Sequence, residues 1–168
     1  DASLEHIESQ CEWLERLVQT LLKLITLERE IERRPCEVDA LFDTVRQNTR
    51  KSLADRGVTL ITHSGGGTLN CNADLIQSLL INLVDNAAKA YDTDAPDKRV
   101  FLTFSGDTIE VRDFGRGIPE QAMGRIFEPF YMADKSRSKK AGGSGLGLAL
   151  VKRIADAHDA ELSVMSGV

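Results

Sequence analysis

The chain has 168 residues and a mass of 18.5 kDa, with 42% hydrophobic and 28% charged residues, proportions that exclude a fibrous, collagenous or wholly disordered chain. Lys and Arg number 21 against 26 Asp and Glu, so the formal net charge is −5 and the pI about 5.3, which argues against a nucleic-acid partner. No apolar run approaches membrane-spanning length, and no basic-then-apolar leader opens the chain.

Cys11, Cys36 and Cys71 are odd in number and contain no C-x-x-C pair. They read as reduced thiols in a cytoplasmic setting. Residues 3–33 carry one helical pattern: Leu4, Cys11, Val18 and Ile25 recur every seven residues, and Ile7, Leu14 and Leu21 fill the complementary positions. Leu17, Leu22 and Leu24 widen the stripe toward a bundle of more than two helices. The alternative is a helix that packs only on its own domain. Pro35 ends the pattern and marks a domain boundary, with residues 1–35 a helical appendage and 36–168 a globular domain.

Asp39 is positioned to N-cap a helix through Leu41, Phe42, Val45 and Leu53, which Arg56-Gly57 stops. Val58 to Thr62 reads as a strand, Gly65 to Gly67 as a turn, and Thr68 to Cys71 as a short return strand. A second helix covers residues 73–91. Val100 to Phe104 and Thr108 to Asp113 form a hairpin about Ser105-Gly106-Asp107. Residues 114–146 have the glycine, proline and basic content of a long functional loop. A third helix runs from near Leu146 to His158, and Glu161 to Met165 begins a last strand. The expected fold is α+β, a two-layer sandwich of a mixed sheet and three helices, preceded by one long bundle helix.

Three constellations carry chemistry. On the 73–91 helix, Leu75, Ile76, Leu79, Leu80, Leu83 and Ala87 fill one arc, and Ser78, Asn82, Asp85, Asn86 and Lys89 fill another about 110° away. Two asparagines and a lysine on one ridge offer neutral oxygen ligands and a cation, suited to hydrated magnesium and phosphates. In Asp113-Phe114-Gly115-Arg116-Gly117-Ile118, strand alternation turns Asp113 to the core side with Ile109 and Val111. An inward carboxylate needs a donor; the amino group of a purine would serve, and so would a turn of the chain itself. Gly115 and Gly117 leave bare backbone for a flat ligand. Finally, Gly143-Ser144-Gly145-Leu146-Gly147 opens a helix and aims amides at one spot. Just upstream, Lys135, Arg137, Lys139 and Lys140 against Asp134 make a cationic loop fit to grip phosphate as a lid.

Neither a protein kinase nor a P-loop explains these segments. Asp113-Phe114-Gly115 has no H-R-D-x-x-x-x-N before it, and no G-x-x-x-x-G-K-[ST] exists. Leu148 occupies the place of a Rossmann third glycine.

Taken in order, the segments resemble the ATP-binding catalytic domain of sensor histidine kinases, in the GHKL superfamily of gyrase, heat-shock chaperone, histidine kinase and mismatch-repair ATPase. Asn82 to Lys89 looks like the N box, Asp113 to Gly117 the first glycine box, Phe127 to Phe130 the F box, and Gly143 to Gly147 the second glycine box. The resemblance implies that Asn86 ligates magnesium, that Asn82 and Lys89 approach the nucleotide's phosphates, and that Asp85 belongs to the nucleotide site. It implies that Asp113 bonds the adenine amino group beside Gly115, Gly117 and Ile118, and that residues 128–145 form the ATP lid, with Lys139 and Lys140 facing phosphate. It places Phe127, Phe130, Gly143, Ser144 and Leu146 at the nucleotide and lets Gly145 and Gly147 present amides to phosphate. Residues 3–33 look like the second helix of a dimerisation and phosphotransfer hairpin, which implies a homodimer and a response regulator as partner.

Members of the superfamily that hydrolyse ATP place a glutamate base where Asn82 stands, and an asparagine cannot accept a proton. Transfer to an external nucleophile is therefore the better reading. The phosphoacceptor motif itself is absent: His6 is followed by Ile7-Glu8-Ser9, His63 lies at a strand end, and His158 ends a helix where a cation suits the dipole. The family's further C-terminal strand is also expected to be missing after Val168. Two readings stay open beside the kinase: a GHKL ATPase or serine kinase, and a non-catalytic nucleotide-binding dimerisation module.

Overall fold

A computed structural model describes residues 2–27, 31–133 and 143–167. In chain order the elements are α1 (Ala2–Thr26), β1 (Arg34–Glu37), α2 (Val38–Arg56), β2 (Thr59–His63), β3 (Thr68–Cys71), α3 (Ala73–Lys89), β4 (Arg99–Ser105), β5 (Thr108–Arg112), α4 (Glu120–Met123) and α5 (Gly147–Ala157). The expected α+β sandwich is observed. β2, β4 and β5 form a mixed sheet in the order β2-β4-β5, with β2 parallel and β5 antiparallel to β4. Gly106, at φ 67°, turns the β4–β5 hairpin.

The alternation of β4 builds the core. Val100, Leu102 and Phe104 point inward and are buried, while Arg99 and Ser105 are exposed. Against this face lie Leu41, Phe42 and Val45 of α2 and Leu80, Val84, Ala87 and Ala88 of α3. α5 flanks α3 with Leu150, Val151 and Ile154, all essentially inaccessible. Burying each such side chain contributes roughly 1.5–3 kcal/mol. No helix among the described residues is long and apolar enough to cross a membrane.

Four local expectations are corrected. The first helix ends at Thr26 instead of reaching residue 33. Leu27 closes its last turn on the Lys23 carbonyl at 3.0 Å. Arg33 then reaches the end of α5, donating to the Ala157 carbonyl at 3.0 Å and pairing with Asp159 at 2.5 Å. Secondly, Thr68–Cys71 does not return onto β2. It pairs antiparallel with β1, a strand containing Pro35. That two-stranded ribbon has only edge strands, where a proline's missing N–H is tolerated. Thirdly, the N-cap of α2 is Glu37, without a side-chain capping bond. Asp39 sits in the first turn and accepts the Ser64 hydroxyl hydrogen bond instead. Lastly, residues 160–167 are not a paired strand, although Leu162, Val164 and Ser166 alternate inward between exposed neighbours.

The helix ends are stapled together by His158. Its Nε2 accepts the Asn72 amide at 3.1 Å, at the N-cap of α3, and its Nδ1 donates to the Ile154 carbonyl at 2.8 Å. The ring acts as a neutral acceptor rather than a dipole cation. Burial first, and then Arg33, hold its pKa below the ordinary 6.5 against the opposing pull of Ile154 and Asp159. The neutral form is favoured only in the folded state, so this contribution is complete above about pH 6.5 and declines as pH falls through it. Wild-type Tm should therefore fall more steeply than that of His158→Gln between roughly pH 7.5 and 5.5. Parallel slopes would remove His158 from the acid sensitivity.

The cysteines are free thiols: Cys11 exposed, Cys36 half-buried and Cys71 buried. Burial, reinforced by Cys36, pushes the Cys71 thiol up to about 12, which makes it an inert core residue at neutral pH.

Candidate nucleotide site

One open cleft brings together the C-terminal half of α3, the turn after β5, and the start of α5. On α3, Asn82, Asp85, Asn86 and Lys89 are half-buried along its wall. Asn82 spends its Nδ2 on the Ser78 carbonyl at 2.8 Å, which leaves Oδ1 turned toward α5. There it would lie 2.8 Å from a Cβ on Gly147, with Asn86 Nδ2 at 3.9 Å. Only a glycine lets the N-terminus of α5 come so close to this amide pair.

Asp85 and Lys89 form an ion pair at 2.6 Å, one helical turn apart. Ser52 of α2 donates to the other Asp85 oxygen at 3.0 Å. Burial disfavours the Asp85 carboxylate, but Lys89, then Ser52 and Arg56, outweigh it and hold the carboxyl below its usual range. Asp85 is thus turned to Ser52 and to Lys89.

The turn after β5 forms the far wall. Asp113 is half-buried as expected, and its Oδ1 accepts the Gly115 amide at 2.9 Å. One oxygen therefore caps the turn, whereas Oδ2 has no hydrogen bond among the described residues. Gly115 packs so closely on α3 that a Cβ would stand 2.6 Å from the Ala90 methyl and 2.7 Å from its carbonyl oxygen. Gly117 has φ 70°, a left-handed conformation that favours glycine. The Ile118 amide donates to Ser166 Oγ at 2.7 Å.

Of the remaining expected residues, Phe127, Gly143, Ser144, Gly145 and Gly147 line the cleft. Leu146 is wholly buried and does not line the cleft. Phe130 is 60% exposed, and its backbone amide donates to the Gly145 carbonyl at 2.8 Å. That bond ties the 127–130 segment to the glycine-rich start of α5. Lys139 and Lys140 lie outside the described residues.

Residues 71–168 match the model of the family described as histidine kinase-, DNA gyrase B-, and HSP90-like ATPase. The chain belongs to that family. Its relatives include the sensor histidine kinase YkoH of Bacillus subtilis, 35% identical over 99% of this chain and 37% of the relative. The phosphate regulon sensor protein PhoR of Pseudomonas aeruginosa is 31% identical over 98% of this chain and 38% of its own length. The chain therefore spans a little over a third of these relatives. Among solved structures, the Acinetobacter baumannii histidine kinase AdeS matches with a TM-score of 0.73 and 20% identity, covering 94% of this chain and 74% of that one. The mycobacterial sensor histidine kinase MprB gives 0.61 and 24%, covering 76% and 80%. At those identities the structures show a shared fold.

Within this ATP-binding family member, sequence reasoning missed three supporting residues. Ser52 steadies Asp85 from a helix with no motif of its own. Ser166 meets Ile118 across 48 positions, which no local pattern reveals. Tyr91 follows the asparagine-rich helix directly; its hydroxyl accepts the Phe114 amide and donates to the Arg99 carbonyl.

Proposed function

We propose that this chain is the ATP-binding catalytic portion of a two-component sensor histidine kinase, moving the γ-phosphoryl of ATP to a histidine imidazole. The observation that carries the reading is the amide pair of Asn82 and Asn86 facing the N-terminus of α5 across Gly147. Phosphate held there would meet the bare backbone amides at the start of α5, the Asn86 Nδ2 donor and, from one helical turn on, Lys89. No cluster of three His, Cys, Asp or Glu side chains exists among the described residues. The donor set thus fits magnesium held by an amide oxygen of Asn86, phosphate oxygens and water, the arrangement this ion prefers. Bound magnesium would neutralise phosphate charge. Asn82 cannot accept a proton, so the site lacks a base at the position from which water would be activated.

Asp113, whose Oδ2 has no hydrogen bond among the described residues, is the group to accept a hydrogen bond from the adenine amino group. Phe127 lies along the cleft, where the lid closes in this reading. α1 supports a homodimer, because Ile7, Leu14, Val18, Leu21, Leu22 and Ile25 are all exposed on it. A response regulator would then receive the phosphoryl group on the cytoplasmic side.

Calorimetric titration with ADP and a non-hydrolysable ATP analogue tests the reading. Magnesium-dependent binding in the micromolar to submillimolar range is expected, about −8 to −5 kcal/mol. No binding heat would favour a dimerisation module without a nucleotide. Rapid ATP turnover by this chain would favour a hydrolase.

A further inference from the structure

The Asp113 turn is held from outside by the end of α3. Three successive residues of the turn meet Ala90 and Tyr91. The Phe114 amide donates to the Tyr91 hydroxyl at 2.9 Å. Gly115 is pressed against Ala90 so closely that it admits no side chain. The Arg116 amide donates to the Ala90 carbonyl at 3.1 Å. Tyr91 is itself anchored, because its hydroxyl donates to the Arg99 carbonyl of β4 at 2.5 Å. Both capacities of the phenol used here run between the sheet and the turn, and its ring packs on the core. The Phe114 ring is fixed from the other side, edge-on to Phe101 at 5.9 Å with the Arg112 guanidinium 5.3 Å from its centroid.

We propose that Tyr91 is a positioning residue for nucleobase recognition, setting the direction of the Asp113 carboxylate through its hydrogen bond to the Phe114 amide. This rests on the reading of Asp113 as the group that meets the adenine amino hydrogen. The turn's own contribution to holding Asp113 is the single bond from Gly115 to Oδ1, about which the carboxylate can swing. Fixing the next peptide group to the sheet removes that freedom, so Oδ2 presents one direction to a flat base. A hydrogen bond weakens steeply once its angle drops toward 120°, and positioning within about 0.5 Å is what supporting residues provide. Tyr91 follows the helix that carries Asn82 and Asn86, so the same clasp sets the distance between the purine end and the phosphate end of the cleft.

The test compares ADP with inosine diphosphate, which presents a carbonyl where adenine has its amino group. Affinities are measured for wild type, Tyr91→Phe, Asp113→Asn and the double variant, each with its Tm. Tyr91→Phe keeps the half-buried ring and loses only the hydroxyl, so folding is retained. Wild type should prefer ADP. Tyr91→Phe should weaken ADP about fivefold to tenfold and leave inosine diphosphate within about twofold, the effect of one misdirected hydrogen bond. In the Asp113→Asn background it should add nothing, since its effect passes through that carboxylate. An equal loss for both nucleotides, or an unchanged preference beside a reduced one in Asp113→Asn, would overturn the role of Tyr91 alone. An unchanged preference in Asp113→Asn would overturn the adenine reading, and the role of Tyr91 with it.

Discussion

Asn86→Ala should eliminate the magnesium dependence of nucleotide binding while leaving the fold intact. In the proposed site Asn86 is the side chain assigned to the ion, and no cluster of ionisable ligands among the described residues stands ready to replace it. It is half-buried on the cleft wall, outside the group of buried core residues formed by Leu80, Val84, Ala87 and Ala88 of the same helix. Alanine is also the best helix former, so the backbone of α3 has no reason to fray. Affinity for ADP with magnesium should drop at least about tenfold, or ~1.4 kcal/mol, and converge on the value without magnesium. Tm without ligand should stay within a few degrees. Lys89→Ala makes an informative contrast. It removes a cation but also leaves Asp85 with Ser52 and Arg56 as its remaining partners among the described residues, so both stability and phosphate affinity should fall. If Asn86→Ala retained a full magnesium effect on ADP binding, the metal assignment would fail even though the fold and the cleft survived.

The parts of this molecule that were readable from sequence are those whose physics is local. The ridge of α3 follows from helical periodicity, Gly57 and Gly106 end a helix and turn a hairpin because of their left-handed backbone, and α5 begins where glycines give way to Leu150, Val151 and Ile154. What escaped was set by partners distant in sequence. Pro35 reads as a helix stop, and nothing around it announces that Arg34 faces Cys71 across a ribbon. The Gly65 to Gly67 turn invites a hairpin, but β2 instead takes β4 as a parallel neighbour with α3 lying between them in the chain. β2 then gains the buried face that a short exposed hairpin lacks. Asp39 has the residue type of an N-cap, yet Ser64 claims its carboxylate. In the cleft, the motif residues were visible as types. Their supports were not, because Ser52, Tyr91 and Ser166 act through hydrogen bonds to residues distant in sequence, which close only after the elements have packed.

Gly115→Ala should cost both stability and adenine affinity. The added carbon would lie 2.6 Å from the Ala90 methyl, 2.7 Å from the Ala90 carbonyl oxygen and 2.8 Å from its carbonyl carbon. Two of those three atoms are backbone at the end of α3, so a rotamer change cannot relieve the overlap. The turn would have to lift away, which stretches the Arg116 to Ala90 bond and the Phe114 to Tyr91 bond together. Overpacking of this kind costs about 1–3 kcal/mol. For a chain of this length that corresponds to a Tm loss of roughly 2–12 °C. Adenine affinity should fall as well, since Asp113 rides on the displaced turn and its Oδ1 bond is to the Gly115 amide itself. Gly124→Ala supplies the control: no atom lies within 4 Å of its would-be Cβ, and its φ of −71° suits any residue. That variant should match wild type in both Tm and nucleotide affinity. If Gly115→Ala behaved like Gly124→Ala, the close seat of the Asp113 turn on α3 would be wrong, and with it the idea that one helix sets both ends of the nucleotide.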